Sequence, residues 1–438
     1  MKTITFGFIL VIVFSSGIKP TNARQSFKNF SSSFIDGYKA LNLPDLELSY
    51  AQNLKHIQST AGIQRQQDFF EQMKKSLRVY AGMELNEQEE QDFEILVYET
   101  DMNLERIALE KKYMNRAPAV IPENNLHSLP YGPEWYAYFL KRWTGAEVNP
   151  DEIYLNGMEE ISRVQKHIDT IRIKTGMSDS AFYAYLNDSS FFLTAEEQVQ
   201  QAFERTGKIV LQNLSKLFNV QPAPELSIKR GSNEALAQTP GYYDNNTFYY
   251  NLFNAPYNKR QVAWLFLHEA VPGHHYQLAI ENDISNTAVE QLFHYPGFAE
   301  GWAAYTEELG KELGAYQTIY DELGKWEWDL VRSVRVPLDV GINYYGWSDE
   351  KALAFWKEHI ANQDAIALRE INRIKKWPAQ VVTYKYGATQ IQQWKCSLIE
   401  LQGSQFNIKD FHDRILMHGS LPFSMVKSNV FRKVQHYN

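Results

Sequence analysis

Apolar residues recur at helical spacing over most of the 438-residue chain. In the segment LNEQEEQDFEILVYETDMNLERIALEKKY, Asn86 is placed to cap a helix and Glu89 completes a capping box. The apolar positions that follow, such as Phe93, Leu96 and Val97, lie on one face of that helix. The pattern predicts a mainly α-helical protein.

Two further segments carry signals for the start of a helix. In TAEEQVQQAFERTGKIVLQNLSKLF, Thr194 and Glu197 have the spacing of a capping box. In NPDEIYLNGMEEISRVQKHIDTI, Pro150 stands at the first helical position, where proline is favoured. We expect one helix to begin at each place.

The helical pattern breaks between residues 224 and 254, in PELSIKRGSNEALAQTPGYYDNNTFYYNLFN. The runs Leu226–Lys229 and Phe248–Leu252 are β-prone, and Asp244–Asn246 has the chemistry of a turn. We expect a small sheet directly before the helix that carries His268. Such a sheet could pair with an extended peptide substrate at its edge, or it could be a minor structural hairpin.

The first 23 residues have the organisation of a secretory signal peptide. Lys2 gives a short positive region, Ile4–Phe14 is apolar, and small residues at 21–23 stand at the expected cut. The apolar run is shorter than the roughly 20 residues that span a bilayer. No cysteine lies near the cut, so we expect neither a membrane anchor nor a lipid-anchored lipoprotein. The sequence predicts an exported protein, periplasmic or secreted. Residues 24–438 would form a single helical catalytic domain, or two lobes divided near residue 225.

Charge and cysteine content narrow the class of partner. The net charge is −8, and no basic block could follow a phosphate backbone, so we do not expect nucleic acid binding. The single cysteine, Cys396, means that disulfides do not hold this fold together. The oligomeric state is left open.

A broken metal-binding motif lies in LFLHEAVPGHHYQ, residues 265–277. The usual zinc helix carries two histidines one turn apart, with a glutamate after the first. Here the position one turn after His268 is Pro272, and the next histidines are His274 and His275. In an unbroken helix His275 would share the face of His268 but lie about 10 Å along the axis. One zinc ion with bonds of about 2.1 Å cannot bridge that distance.

Pro272 and Gly273 offer a way to distort the helix between these histidines. Proline removes a backbone donor, and glycine tolerates unusual dihedral angles. A two-residue bulge would return His274 to the place one turn after His268, whereas His275 would need a three-residue bulge. We favour His274 as the ligand because fewer looped residues leave fewer unpaired backbone groups. His275 would then contact a ligand residue without binding the metal itself, or it would pack nearby.

The third ligand is expected from the segment HYPGFAEGWAAYTEELG. Glu300 is flanked by Phe298 and Trp302, which makes a solvent-facing position less expected. Glu307, two turns further on, could accept a hydrogen bond from the ring of a ligand histidine. The alternative for each glutamate is a solvated helix face.

These motifs, together with LDVGINYYGWSDEKA, WPAQVVTYKYG and FHDRILMHGSLPF, resemble the bacterial family named domain of unknown function 885. The likeness covers most of the chain after the signal peptide and is strongest from about Tyr242 to the C-terminus. That family is similar in turn to the zinc peptidase group of angiotensin-converting enzyme and thimet oligopeptidase. The resemblance implies a large helical zincin-like (neurolysin-like) fold, with a central cleft and a small β-sheet next to the metal-site helix.

The same resemblance implies roles for individual residues. One Zn²⁺ per chain would be bound by His268, His274 and Glu300, with Glu269 as the general base on a zinc-bound water. One position departs from the family pattern, because members often carry a histidine where this chain has Asn343. The amide of Asn343 can still hydrogen-bond, so it stays a candidate substrate-binding residue.

Three further residues complete the candidate site. Tyr384 is the first choice to stabilise a developing oxyanion, with Tyr386 as the alternative. Either tyrosine could instead be packed within its helix. Arg373, in REINRIKKWP, could bind a substrate carboxylate through two hydrogen bonds or form a surface ion pair.

Together these features predict an exported, zinc-dependent metallopeptidase that hydrolyses short peptides. Two alternatives remain: a metal-dependent hydrolase of a non-peptide amide or ester, and a metal-free exported protein that binds peptides or glycans. The predicted partner is a short peptide, with no nucleic acid and no stable membrane insertion after signal cleavage. The end of the peptide that is read, amino or carboxyl, is left open.

Overall fold

The computed structural model describes residues 20–219, 223–237, 239–253, 256–284, 286–360 and 364–432. Residues 1–19, with the positive and apolar regions of the predicted signal peptide, lie outside the described residues. Within the described ranges, no helix is both long enough and apolar enough to cross a membrane.

Helices form most of the described chain, and the prediction of a mainly α-helical protein is confirmed. In chain order they are α1 (Pro20–Ala40), α2 (Tyr50–Lys55), α3 (Thr60–Tyr80), α4 (Glu87–Met114), α5 (Gly132–Thr144), α6 (Pro150–Lys174), α7 (Asp179–Tyr185), α8 (Glu196–Asn213), α9 (Val262–Glu269), α10 (His274–Asp283), α11 (Pro296–Thr306), α12 (Ile319–Asn343), α13 (Asp349–His359), α14 (Asp364–Lys376), α15 (Val382–Gln402), α16 (Ile408–Leu416) and α17 (Phe423–Phe431).

The strands are few and short, and most of them lie directly before α9. They are β1 (Phe192–Leu193), β2 (Ser227–Arg230), β3 (Gly241–Asp244), β4 (Thr247–Tyr250) and β5 (Tyr257–Asn258). The larger sheet has the order β2-β4-β3, with β2 parallel and β3 antiparallel to β4. β1 and β5 form a separate antiparallel pair. The small sheet predicted beside the motif helix is therefore present.

The turn between β3 and β4 explains why the sequence signal was strong there. Asn245 and Asn246 both have positive φ, 42° and 58°. Tight hairpins need such left-handed residues at both central positions, and asparagine tolerates them well. The hairpin fixes the register, with Asp244 opposite Thr247.

Two of the three predicted helix starts are confirmed. α4 follows Asn86, which forms the full capping box with Glu89, and α6 begins at Pro150. The third helix, α8, is also present, but it begins at Glu196 after Ala195, so the predicted capping box of Thr194 and Glu197 is wrong. β1 ends at residue 193, so the backbone is still leaving an extended strand at Thr194.

The motif helix α9 lies in the middle of the largest apolar core, and each of its residues is buried. This core joins segments from both sides of residue 225. Phe203 of α8, for example, packs edge-on against Phe248 and stacks on Tyr250 of β4. The division into two lobes near residue 225 stays a prediction.

A close crossing of α11 and α15 sets the position of the remaining site residues. A Cβ atom added to Gly301 would lie 2.7 Å from the Cα of Gly387. A side chain at either glycine would therefore keep the two helices apart. Glu300 precedes one of these glycines, and Tyr384 lies one turn before the other. The crossing therefore brings Glu300 and Tyr384 together.

Candidate metal centre

The broken motif forms a junction between two helices rather than a bulge within one. α9 ends at Glu269 and α10 begins at His274, so four residues are non-helical and the predicted two-residue bulge is wrong. A Cβ atom on Gly273 would lie 1.9 Å from the carbonyl oxygen of His268. Glycine is required at this point because the start of α10 passes against the end of α9.

Side chains of α11 satisfy backbone groups that the junction leaves without helical partners. The Trp302 indole N–H donates to the carbonyl of Pro272 at 2.9 Å, and the Thr306 hydroxyl donates to that of Leu267 at 2.9 Å. The last carbonyl groups of a helix have no partner within the helix, so they need other donors when they are buried. These bonds fix α11, and with it Glu300, against the junction.

His268, His274 and Glu300 converge on one point. Glu300 Oε2 lies 3.6 Å from His268 Nε2 and 3.5 Å from His274 Nε2. The three donor atoms lie within 4.8 Å of one another. The two imidazole rings are nearly perpendicular, with centroids 4.9 Å apart. His274, the favoured histidine, thus lies in this cluster, although its role as a ligand stays a prediction.

The geometry of the cluster fits a bound zinc ion. Tetrahedral bonds of about 2.1 Å place neighbouring ligand atoms about 3.4 Å apart. The two separations from Glu300 are close to that value and too long for hydrogen bonds. Two histidines and one glutamate are also a known donor set of catalytic zinc sites, which keep one position open. The residues present could hold such an ion.

The far side of the His268 ring is held by Glu307, the residue expected to support a ligand. Its carboxylate lies 2.8 Å from His268 Nδ1, so the ring N–H points at Glu307 and Nε2 faces the cluster. Arg332 of α12 in turn donates to the Glu307 carboxylate at 2.6 Å. All three side chains are buried. Arg332 was not predicted from the sequence, because no local motif contains it.

The second oxygen of Glu300 is held by Tyr384, whose hydroxyl donates to Oε1 at 2.8 Å. Burial raises the pKa of Glu300, but His268 and His274 more than offset it and hold this pKa well below its usual range. Burial lowers the pKa of His268, yet Glu300 and Glu307 raise it overall to about 9 in the metal-free chain. Burial and Glu300 raise the pKa of Tyr384.

Glu269, the predicted general base, is the last residue of α9 and directly follows His268. It is buried, with 8% of its surface exposed. Its carboxylate makes no hydrogen bond or ion pair with any other residue that the structure describes. The carboxylate of Glu269 is therefore buried beside the cluster without a structural partner in the described part of the chain.

His275 faces away from the cluster although it adjoins His274. Its Nδ1 lies 3.1 Å from the hydroxyl of Tyr243, and its Nε2 lies 3.0 Å from the carbonyl of Pro224. Burial lowers the pKa of His275. This histidine therefore ties α10 to strand β3.

The structure brings Arg373 near the cluster but not Tyr386 or Asn343. Arg373 lies beside Tyr384 and donates to Gln380 at 2.7 Å. Tyr386 packs against Phe423, because two residues along a helix turn its side chain away from that of Tyr384.

Asn343 lies at the far end of α12, about 16 Å along the axis from Arg332 at about 1.5 Å per residue. Its side-chain amide is buried and donates to the carbonyl of Ile374 at 3.2 Å. The structure gives Asn343 a place in the packing of α12 on α14, and the predicted contact with substrate has no support from its position.

The fold and site define a mainly helical protein with a partly buried His-Glu cluster that could hold a metal ion. The chain belongs to the DUF885 family, described as "Bacterial protein of unknown function", whose model matches residues 105–430. This range contains the whole cluster. No curated protein matches the chain.

Two of the solved structures that are similar to this chain are candidate lipoproteins. One is a candidate lipoprotein from Colwellia psychrerythraea, with a TM-score of 0.66 and 20% identity over 95% of this chain and 75% of that one. The other is a candidate lipoprotein of unknown function from Shewanella oneidensis, with a TM-score of 0.57 and 20% identity over 94% and 79% of the two chains. At this identity the likeness shows a common fold.

Proposed function

We propose that this protein is an exported, zinc-dependent hydrolase that cleaves short peptides. The observation that carries the proposal is the convergence of His268, His274 and Glu300 at the separations expected for ligands of one ion. A zinc ion bound there would act as a Lewis acid and lower the pKa of a water molecule.

The residues around the cluster have separate tasks in this proposal. Glu307 orients His268 so that Nε2 faces the ion, and Arg332 holds Glu307 in place. Glu269 would take a proton from the attacking water and deliver it to the departing amine. The Tyr384 hydroxyl donates to Glu300 in this structure and could turn to the substrate to stabilise the oxyanion.

The small sheet supports a peptide as the substrate. β3 forms one edge of the sheet β2-β4-β3, and Gly241 at its start packs against Leu265 of α9. An extended peptide can pair with such an edge through its backbone. The bond between Tyr243 and His275 holds this strand at a fixed distance from His274.

The test combines metal content with activity on a library of mixed-length peptides, followed by mass spectrometry with and without a chelator. We expect one zinc per chain and chelator-sensitive cleavage. Glu269→Gln should keep zinc but lower kcat about 100- to 10,000-fold, the usual contribution of a general base. Glu400→Gln, at an exposed position of α15, is the matched control and should leave the activity unchanged.

Three outcomes would contradict the proposal or a part of it. Near-parental turnover in Glu269→Gln would remove this residue from the mechanism. A chain that takes up no zinc on titration and cleaves no peptide would favour the metal-free binding protein. Chelator-sensitive cleavage of esters or non-peptide amides alone would favour the other alternative.

A further inference from the structure

We propose that the site reads the carboxyl end of its substrate, with Arg373 binding the free α-carboxylate. The protein would then release one or two residues from the C-terminus of a peptide. This inference rests on the proposed hydrolase function and names the substrate class for the same site.

The surroundings of Arg373 leave part of its guanidinium available. One terminal nitrogen donates to Gln380 at 2.7 Å, whereas the buried Nε atom has no hydrogen-bond partner among the described residues. The guanidinium carbon lies 5.6 Å from the ring centre of Trp377, which helps to hold its orientation. A planar guanidinium fixed in this way suits two parallel hydrogen bonds to a carboxylate.

Arg373 also differs from other arginines near the site in its contacts with carboxylates. Arg332 pairs with Glu307, and Arg335 pairs with Glu370 at 2.9 Å. Within the described ranges the half-buried Arg373 forms no direct ion pair, and Glu370 and Glu300 act on it only from a longer distance. Its guanidinium can therefore form a direct ion pair with a bound carboxylate.

The position of Arg373 relative to the cluster suggests which carboxylate it binds. Arg373 lies beside Tyr384, and the Tyr384 hydroxyl bonds to Glu300, so one side chain separates the guanidinium from the candidate metal ligands. An extended residue spans about 3.3–3.6 Å. A carboxylate held by Arg373 would thus belong to a residue one or two positions beyond the cleaved bond. Hydrolysis breaks that C–N bond, adds hydroxyl to the acyl carbon and proton to the amine, and the amine fragment leaves with its carboxylate.

The test uses one peptide in matched forms, with a free C-terminal acid or a C-terminal amide, each with a free or acetylated amino end. The zinc-loaded protein should cleave the free acids at least about 100-fold faster, in kcat/KM, than the amides, and acetylation should have little effect. Arg373→Met should remove most of this preference, and Arg373→Lys should restore part of it. Lys376→Met, at an exposed position of the same helix, is the control and should keep the preference.

Zinc content reports whether each variant is folded. Equal cleavage of acid and amide by the parent protein would overturn the inference and leave the hydrolase proposal standing. Loss of cleavage on acetylation would overturn it in favour of amino-end recognition. Rapid cleavage of amides only when an aspartate stands at the last position would assign Arg373 to a side-chain carboxylate, which also overturns it. Failure to cleave any of the peptides would instead count against the hydrolase function itself.

Discussion

Glu307 and Glu308 are adjacent in the chain but belong to two partly buried clusters of charge that are built differently. Glu307 supports the candidate metal centre through His268. Glu308 belongs to a neighbouring group, here named the paired cluster, in which each charge has an opposite partner within the protein. The members of the paired cluster are Glu160, Arg163, Glu308, Lys325, Asp329 and Lys385.

In the paired cluster, each charged group contacts a group of opposite charge. Asp329 accepts from Lys385 at 2.7 Å, and Lys325 donates to Glu308 at 2.6 Å. Burial raises the pKa of Asp329, but Lys385, Lys325 and Arg163 more than offset it and lower this pKa below its usual value. Three carboxylates and three cations leave no net charge.

The candidate metal centre differs from the paired cluster in how its donor atoms are arranged. His268 Nε2, His274 Nε2 and one oxygen of Glu300 face one another at distances that suit a shared ion and not a hydrogen bond. The outer atoms of His268 and Glu300 are held by Glu307 and Tyr384. The comparison suggests that burial of charge alone does not mark a functional site, whereas donor atoms left facing each other do.

The largest effect should come from the two adjacent histidines. His274→Ala removes a predicted ligand and should abolish zinc binding at concentrations that saturate the parent protein. His275→Ala removes the contacts with Tyr243 and with the carbonyl of Pro224 and should keep most of the affinity. Calorimetric titration with zinc separates the two. Equal loss of affinity in both variants would contradict the prediction that His274, and not His275, is the ligand.

Much of the metal centre could be predicted from local sequence because its members lie in short motifs. His268 and Glu269 are adjacent, and Glu300 and Glu307 lie two turns apart within one segment. Arg332 could not be found in this way, because its partnership with Glu307 depends on how α12 packs beside α11. The position of Asn343 depends on the same packing.

The course of the backbone was predictable where local chemistry decides it. The hairpin at Asn245 and Asn246 followed from turn residues that tolerate positive φ. The parallel pairing of β2 with β4 is a non-local contact that no turn signal specifies. The extent of the junction after Glu269 likewise depends on bonds from Trp302 and Thr306, which a reading of residues 265–277 alone does not contain.

A second variant tests whether the paired cluster is structural. Lys385→Met removes a buried cation that contacts both Asp329 and Glu160 at 2.7 Å. The loss leaves an unbalanced buried carboxylate and should lower the free energy of unfolding by about 3–5 kcal/mol. Zinc affinity of the folded variant should stay within a few-fold of the parent, because Lys385 does not contact the metal centre.

Urea unfolding of both proteins in chelator measures this change in stability, and titration of the folded proteins measures affinity. Lys55→Met is the matched control, since Lys55 and Glu123 form an exposed pair whose contribution should be about 0–1 kcal/mol. Unchanged stability in Lys385→Met would show that the paired cluster is not needed for folding. A loss of zinc binding as large as in His274→Ala would show that the two clusters are not independent.

The smallest expected effect is the difference in zinc affinity between variants of Glu307 and of Glu308. Glu307→Gln keeps an oxygen that can accept from the His268 ring but loses the charge that pairs with Arg332, so zinc affinity should fall about 10- to 100-fold. Glu308→Gln disturbs the paired cluster and should reduce stability while leaving zinc affinity nearly unchanged. Zinc titration and urea unfolding of both variants should therefore give opposite patterns. The contrary finding would be that Glu308→Gln weakens zinc binding as much as Glu307→Gln. Zinc affinity would then depend on the total charge of this region and not on the contact between Glu307 and His268.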